Sequence, residues 1–320
     1  MIVPPPKNTV NPLFMYRGTT VKQTWPRIAT AAVVSIMVTV AYTLRGRDMS
    51  LSITPLPFQL IGLALSIFLA FLTKAAYDRW WEGRKLWGGV VNVTRTIARQ
   101  AQTFLGDTSD PEQPSREEVT QTLVLRTIAW THALRLHLRP GSAWDRDLAG
   151  ALAGALSDDE IAELRSSSNV PIEILRRTGL VLRGADSAGQ LTNYELVQLE
   201  ASIGRLTDLQ GGCERIRNTP IPWGYPFLLS RLVFYYCVLL PFGIVDDIGI
   251  MTPVVTLFVA VALFGLAEIA GDIQDPFGDC VNSLPMHALA TTIETNLREA
   301  LAQPPAEWPA AIEPVGGVLR

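Results

Sequence analysis

The chain is poor in the residues that carry covalent and metal chemistry. Its three cysteines are Cys213, Cys237 and Cys280. They are far apart and odd in number, which leaves no close-spaced metal pair and argues against a disulfide framework. Its three histidines are His132, His137 and His287. His132 and His137 lie five apart, whereas a zinc pair on one helix needs a spacing of four, so both are expected on a polar helix face. No GxSxG, P-loop or dinucleotide fingerprint occurs, so a hydrolase or a kinase has no support, and no enzyme is expected. The formal net charge is only −3, which leaves no basic footprint for nucleic acid. No alternating strand pattern appears, and no repeat at solenoid spacing. The opening residues are rich in proline (Pro4, Pro5, Pro6) rather than apolar, so no cleavable signal is expected.

What is present is apolar. Hydrophobic residues make up 48% of the chain, and mean hydropathy is +0.22. That is too apolar for a wholly soluble protein and too charged for a wholly membrane one. The stretch from Pro55 to Thr73 carries no charge. As a helix of about 19 residues it crosses most of a hydrocarbon core about 30 Å thick. Lys74, Asp78, Arg79, Glu82, Arg84 and Lys85 then arrive together, with Trp80, Trp81 and Trp87 among them. Cations and tryptophans at the end of an apolar run mark a membrane–water boundary. One long helix is therefore predicted to leave the membrane and continue into a soluble part. Ile28–Leu44, Pro226–Val245 and Met251–Ala267 are the other three predicted spans, with Arg231 near the cytoplasmic end of the third and Pro241 inside it.

The cation count sets the orientation. Lys7, Arg17, Lys22 and Arg27 precede the first span; Lys74, Arg79, Arg84, Lys85, Arg95 and Arg99 follow the second; Arg45 and Arg47 lie between. Both outer segments, and with them both termini, are expected in the cytoplasm, the chain being multi-pass in an inner (plasma) membrane. The predicted organisation is all-α. Residues 1–27 form an N-terminal interfacial segment, with Leu13–Trp25 on the membrane surface. Spans occupy 28–73 and 223–267, a helical cytosolic domain 74–222, and a cytosolic C-terminal helix 268–303. A tail over 304–320 is expected to be disordered. Within the cytosolic part, helices are predicted at Glu117–Leu138, after Ser157 (a capping sequence), at Pro171–Arg183 and at Thr192–Arg217, and a last one at Met286–Leu301.

Leu63, Ile67 and Phe71 are four apart and stack on one stripe of the second span. Repeated around a symmetry axis, such a stripe forms a constriction that gates by dewetting; it equally suits lipid or a neighbouring helix.

Several separated blocks resemble the bacterial branch of the bestrophin family. The core is Asp78, Arg79, Trp80, Trp81 and Glu82, within residues 77–100. Gly211–Asp247 and the run Asp275, Pro276, Phe277 and Gly278 also agree, as does Met15–Thr20 before the first span. The resemblance covers about Phe14 to Leu301. It implies a homopentamer of four-span subunits in contact with membrane lipids, with an axial pore for monovalent ions. It implies that Leu63, Ile67 and Phe71 form the pore neck and that Ile203 forms a second, cytosolic constriction. Animal members carry an acidic run after this Phe-Gly that resembles a calcium clasp. Here only Asp279 remains of it, so no calcium, metal or other cofactor is expected. Animal members conduct chloride, and the bacterial branch is associated with monovalent cations. With 30 acids against 27 bases, cations such as sodium are the expected ions and chloride the alternative. The rival of another class is a membrane-anchored scaffold or sensor.

Overall fold

A computed structural model describes residues 21–45, 54–108, 110–314 and 319. The motif at Met15–Thr20, most of the expected surface segment and most of the loop between the first two spans lie outside these residues. The chain divides into two compact units. One comprises the described residues of Pro4–Trp81 with Thr219–Pro276; the other comprises those of Glu82–Asn218 with Phe277–Arg320. Among the described residues there are helices and no β-strand.

The first unit holds α1 (Val21–Arg45), the start of α2 (Pro55–Phe104), α8 (Gly224–Ile248) and α9 (Thr252–Ile273). Among the described residues, three stretches are long and apolar enough to cross a membrane: Gln23–Leu44, Pro55–Phe104 and Gly224–Ile273. The last comprises α8 and α9, which reverse at Gly249 (φ 52°) and pack on each other. Helix α1 starts at Val21, earlier than the Ile28 expected, and carries Pro26 within its early turns. Helix α8 runs past Val245, where the predicted span ends, and on through Asp246 and Asp247. The positive-φ Gly249, rather than the acids, ends it. The core of this unit is apolar. Leu65, Leu69, Leu72 and Ala76 of α2 meet Leu229, Val233 and Cys237 of α8, with Ile28, Ala31, Ala260, Phe264 and Ala270. A Cβ at Gly243 would lie 2.2 Å from the Phe58 ring, so only glycine lets α2 and α8 approach here. The Tyr225 hydroxyl donates to the Phe68 carbonyl at 3.0 Å.

The second unit is built on the rest of α2 with α3 (Arg116–His137), α4 (Leu148–Leu152), α5 (Asp158–Leu164), α6 (Val170–Ser187), α7 (Asn193–Asn218) and α10 (Met286–Ala300). Local signals set most of these bounds. Ser115 and Glu118 form a reciprocal capping box at α3, Ser157 caps α5, and Asn169 caps α6 with Pro171 in its first turn. The short helix α4 was not expected. It is capped by Asp147, in the left-handed region at φ 61°, whose carboxylate accepts from the Gly150 amide. Helix α3 packs on α6 and α10, and Trp87, Trp130 and Phe277 are fully buried. The tail beyond residue 303 begins in order. Pro305–Glu307 make a 3-10 turn, and the Trp308 Nε1 donates to the Gln303 carbonyl at 3.0 Å.

Candidate pore-lining site on the second helix

Helix α2 has two unlike faces in its apolar part. Phe58, Leu65, Leu69, Leu72 and Ala76 are buried in the first unit. Leu63, Ile67 and Phe71 lie on the other side, 63%, 48% and 64% exposed. Leu56 and Leu60 continue that exposed stripe toward the helix start. Seven residues of period, two turns, separate equivalent positions such as Leu65 and Leu72, so packing on α8 fixes which stripe stays outside. The three residues of the expected neck therefore share one open, apolar face. After Phe71 that same face turns polar: Lys74 pairs with Asp78 four residues on.

Among the remaining motif residues, Arg79 holds backbone. Arg79 donates from Nε to the Gln274 carbonyl at 2.9 Å and from Nη1 to the Thr219 carbonyl at 2.5 Å. Its guanidinium thus ties α2 to the end of α9 and to the turn before α8, all within the first unit. Tyr77 and Trp80 stack with centroids 6.4 Å apart, and Trp81 stays 47% exposed. Glu82, in the second unit, accepts from Arg215 of α7. These roles position helices.

At the end of α9, Glu268 lies 3.9 Å from Arg27. In the second unit, Phe277 is fully buried and its carbonyl accepts from Arg139. The Asp279 carboxylate is shared by Arg139 at 3.4 Å and Arg146 at 2.5 Å. Burial pushes the Asp279 carboxyl up, but the two guanidiniums outweigh it and hold it below the usual carboxylate value. This acid is thus engaged with cations of its own chain.

Ile203 sits elsewhere than expected. It is only 7% exposed, on the buried stripe of α7 with Leu199, Leu206 and Cys213. Its side chain is packed inside its own chain. The exposed large hydrophobic residues of α7 are Tyr194 and Val197, at 88% and 62%. His132 also departs from the polar face expected of it. It is buried, with Nε2 2.9 Å from a Glu294 carboxylate oxygen, while His137 lies half-buried 3.0 Å from Glu214.

A Cβ at Gly89 would lie 2.7 Å from Leu209, and one at Gly212 would lie 2.9 Å from Leu86. Each Gly-Gly pair thus receives a leucine from the other helix, and α2 and α7 interlock. The signal in the sequence was the pair of Gly-Gly steps, Gly88-Gly89 and Gly211-Gly212, each within a helical pattern where glycine is unfavourable.

The chain is similar to known proteins over most of its length. A family model of bacterial and fungal bestrophin proteins matches residues 1–299. The voltage-dependent anion channel-forming protein of Ralstonia nicotianae is 33% identical over 304 residues, which is 95% of each chain. The Escherichia coli protein YneE, of the same description, is 31% identical over 317 residues, 98% of each chain. The crystal structure of a bestrophin homologue from Klebsiella pneumoniae superposes with a TM-score of 0.78 at 31% identity, covering 87% of this chain and 98% of that one. The chain, all-helical and carrying helices fit to span a membrane, belongs to the bacterial and fungal bestrophin family.

Proposed function

We propose that this chain forms a passive channel for small monovalent ions, as a homopentamer in the plasma membrane with four spans per subunit and both termini in the cytoplasm. The observation that carries the reading is the open stripe of Leu63, Ile67 and Phe71 on a helix whose opposite face is buried in the subunit core. Four spans leave too few helices for a pore within one subunit, so copies around an axis are the natural arrangement. Leu63, Ile67 and Phe71 then form the neck, a dry constriction that conducts when it wets or widens. A second narrowing in the helical unit falls to Tyr194 and Val197 rather than Ile203, because those two are the open apolar side chains of α7.

Two readings of the permeant sign stand. The excess of acids, 30 against 27 bases, favours cations such as sodium. The description of the curated relatives as voltage-dependent anion channel-forming proteins favours anions. One experiment separates them. Purified protein in liposomes is tested for flux, and reversal potentials are read under separate sodium and chloride gradients. The potential follows sodium for a cation channel and chloride for an anion channel. Ile67→Ala raises the current if the neck limits it. No flux in either gradient, in the native chain and the variant alike, replaces the channel with a membrane-anchored scaffold or sensor.

A further inference from the structure

The stripe that forms the proposed neck does not end at Phe71. At about 100° per residue, Leu63, Ile67, Phe71, Lys74 and Asp78 fall within an arc of roughly 80° around α2. Lys74 stands about 4.5 Å beyond Phe71 along the helix and Asp78 about 10.5 Å beyond it. The side chains of Lys74 and Asp78 are 67% and 56% exposed, and they pair with each other across one helical turn. The face therefore passes within one turn from a dry apolar surface to one carrying a cation and an anion in register.

We propose that Lys74 and Asp78 form the charge filter of this channel, a paired ring at the inner mouth of the neck that sets which sign of ion enters. The proposal rests on the reading of Leu63, Ile67 and Phe71 as the neck, and it adds the residues that act on charge. An apolar neck distinguishes ions by hydration and width, and both signs meet the same barrier there. Charges placed where an ion sheds or regains water discriminate by sign, and rings of acidic or basic side chains do this in other channels. Here each subunit contributes one of each. Asp78 offsets Lys74, so the charge of the ring, and with it the sign it favours, is set by the balance of the two. The device is sensitive for that reason, since removing either partner uncovers the other at full charge. This also accounts for a pair held across a single turn at this point of the helix, where neither residue is needed by the core.

The test is the reversal potential of the full-length protein in planar bilayers, under a sodium chloride gradient, for four variants. Lys74→Glu is expected to raise the sodium-to-chloride permeability ratio roughly fivefold, and Lys74→Gln to raise it by less. Asp78→Asn is expected to lower it by a similar factor. The double variant Lys74→Gln with Asp78→Asn brings the ratio back within about twofold of the native value, because the offset pair is replaced by a neutral one. All these shifts shrink as salt rises from about 0.1 M to 1 M, as the screening length falls from about 10 Å to 3 Å. Ile67→Ala serves as the reference for the neck. If it raises the current while the Lys74 variants stay within twofold of the native ratio, the charge filter is overturned and the neck stands. If Ile67→Ala and the Lys74 variants both leave conduction and selectivity untouched, the stripe does not face the pore and both readings fall.

Discussion

The two units of this chain solve the same problem with opposite materials. The membrane unit puts its apolar side chains outside as well as in. Val33, Ile36, Met37, Val254 and Phe258 are all at least half exposed, and Phe258 reaches 77%. Its interior is held by small and apolar contacts such as Gly243 against Phe58, with one buried hydroxyl pair from Ser35 to Thr256 at 3.2 Å. The helical unit turns charge outward and buries aromatics. Between its helices, Arg126 grips Glu160 with two bonds of 2.8 and 2.9 Å and Arg177 reaches Glu163 at 2.8 Å, while within α6 Arg177 also pairs with Glu173 at 2.9 Å. The lesson is about solvent. Water rewards burial of apolar area by about 25 cal/mol per Å², so a unit in water can be specified by its core. Lipid gives no such reward, and helices there associate through shape and close approach. Packing in the membrane unit must therefore be sensitive to small volumes, and that of the helical unit to large ones.

Four measurements sharpen or break this contrast, from the largest effect to the smallest. Trp130 is fully buried in the helical unit, and its Nε1 donates to Gln210 at 3.2 Å. Trp130→Ala should cost about 3–5 kcal/mol and lower the unfolding temperature of the detergent-solubilised protein by several degrees. A loss under 1 kcal/mol would mean that the helical unit does not depend on its aromatic core. In the membrane unit, adding a single isopropyl group at a close approach should be felt nearly as strongly. Gly243→Val forces Phe58 off α8, at a cost of about 1–3 kcal/mol. The buried Cys237 reports it: in a Cys280→Ser background, a small maleimide should label Cys237 faster, while Cys213 of the helical unit stays protected. Equal labelling of both would show that the strain spreads and that the units do not respond separately.

Next comes a purely local term. Ser115→Ala removes the cap of α3 and should destabilise the helical unit by about 1 kcal/mol, read as a small shift in the same melt. The smallest effect is that of pH. His137 and His287 both sit below their ordinary value of 6.5, chiefly because burial disfavours the charged ring. The unfolded chain then takes up protons more readily than the folded one. Stability is full above about pH 6.5 and falls as pH drops below it, levelling off once pH has passed the lowered folded values. Melts between about pH 7.5 and 5 should show that decline, and His287→Gln should flatten it.

Much of the architecture could be read locally. The uncharged runs at Ile28–Leu44 and Pro55–Thr73 fall within α1 and α2, and the predicted passage of one helix through Lys74, Trp80 and Trp87 is the 50-residue helix α2. Ser157 and Pro171 begin α5 and α6 as their chemistry requires. Hydropathy, helix propensity and capping act over a few residues, so a few residues reveal them. Ile203 shows where that reach ends. Its apolar character and place in a helix were legible, yet its direction was not, because the stripe that turns inward on α7 is chosen by α6 and by Gln100 and Trp130, far away in sequence. The same holds for His132, buried by Glu294 from 162 residues on, and for Asp279, captured by Arg139 and Arg146.

The sequence by itself thus determined the family, through its separated motif blocks, and the helices and the length of the apolar part of α2, which follow from local pattern. Only the tertiary structure decided which face of α2 stays open. Phe58, Leu65 and Leu69 go inward because Gly243 and Val233 of α8 make room for them, which leaves Leu63, Ile67, Phe71, Lys74 and Asp78 together on the outside. A helix carries its pattern on all sides at once, and only a packed neighbour turns one side into the interior.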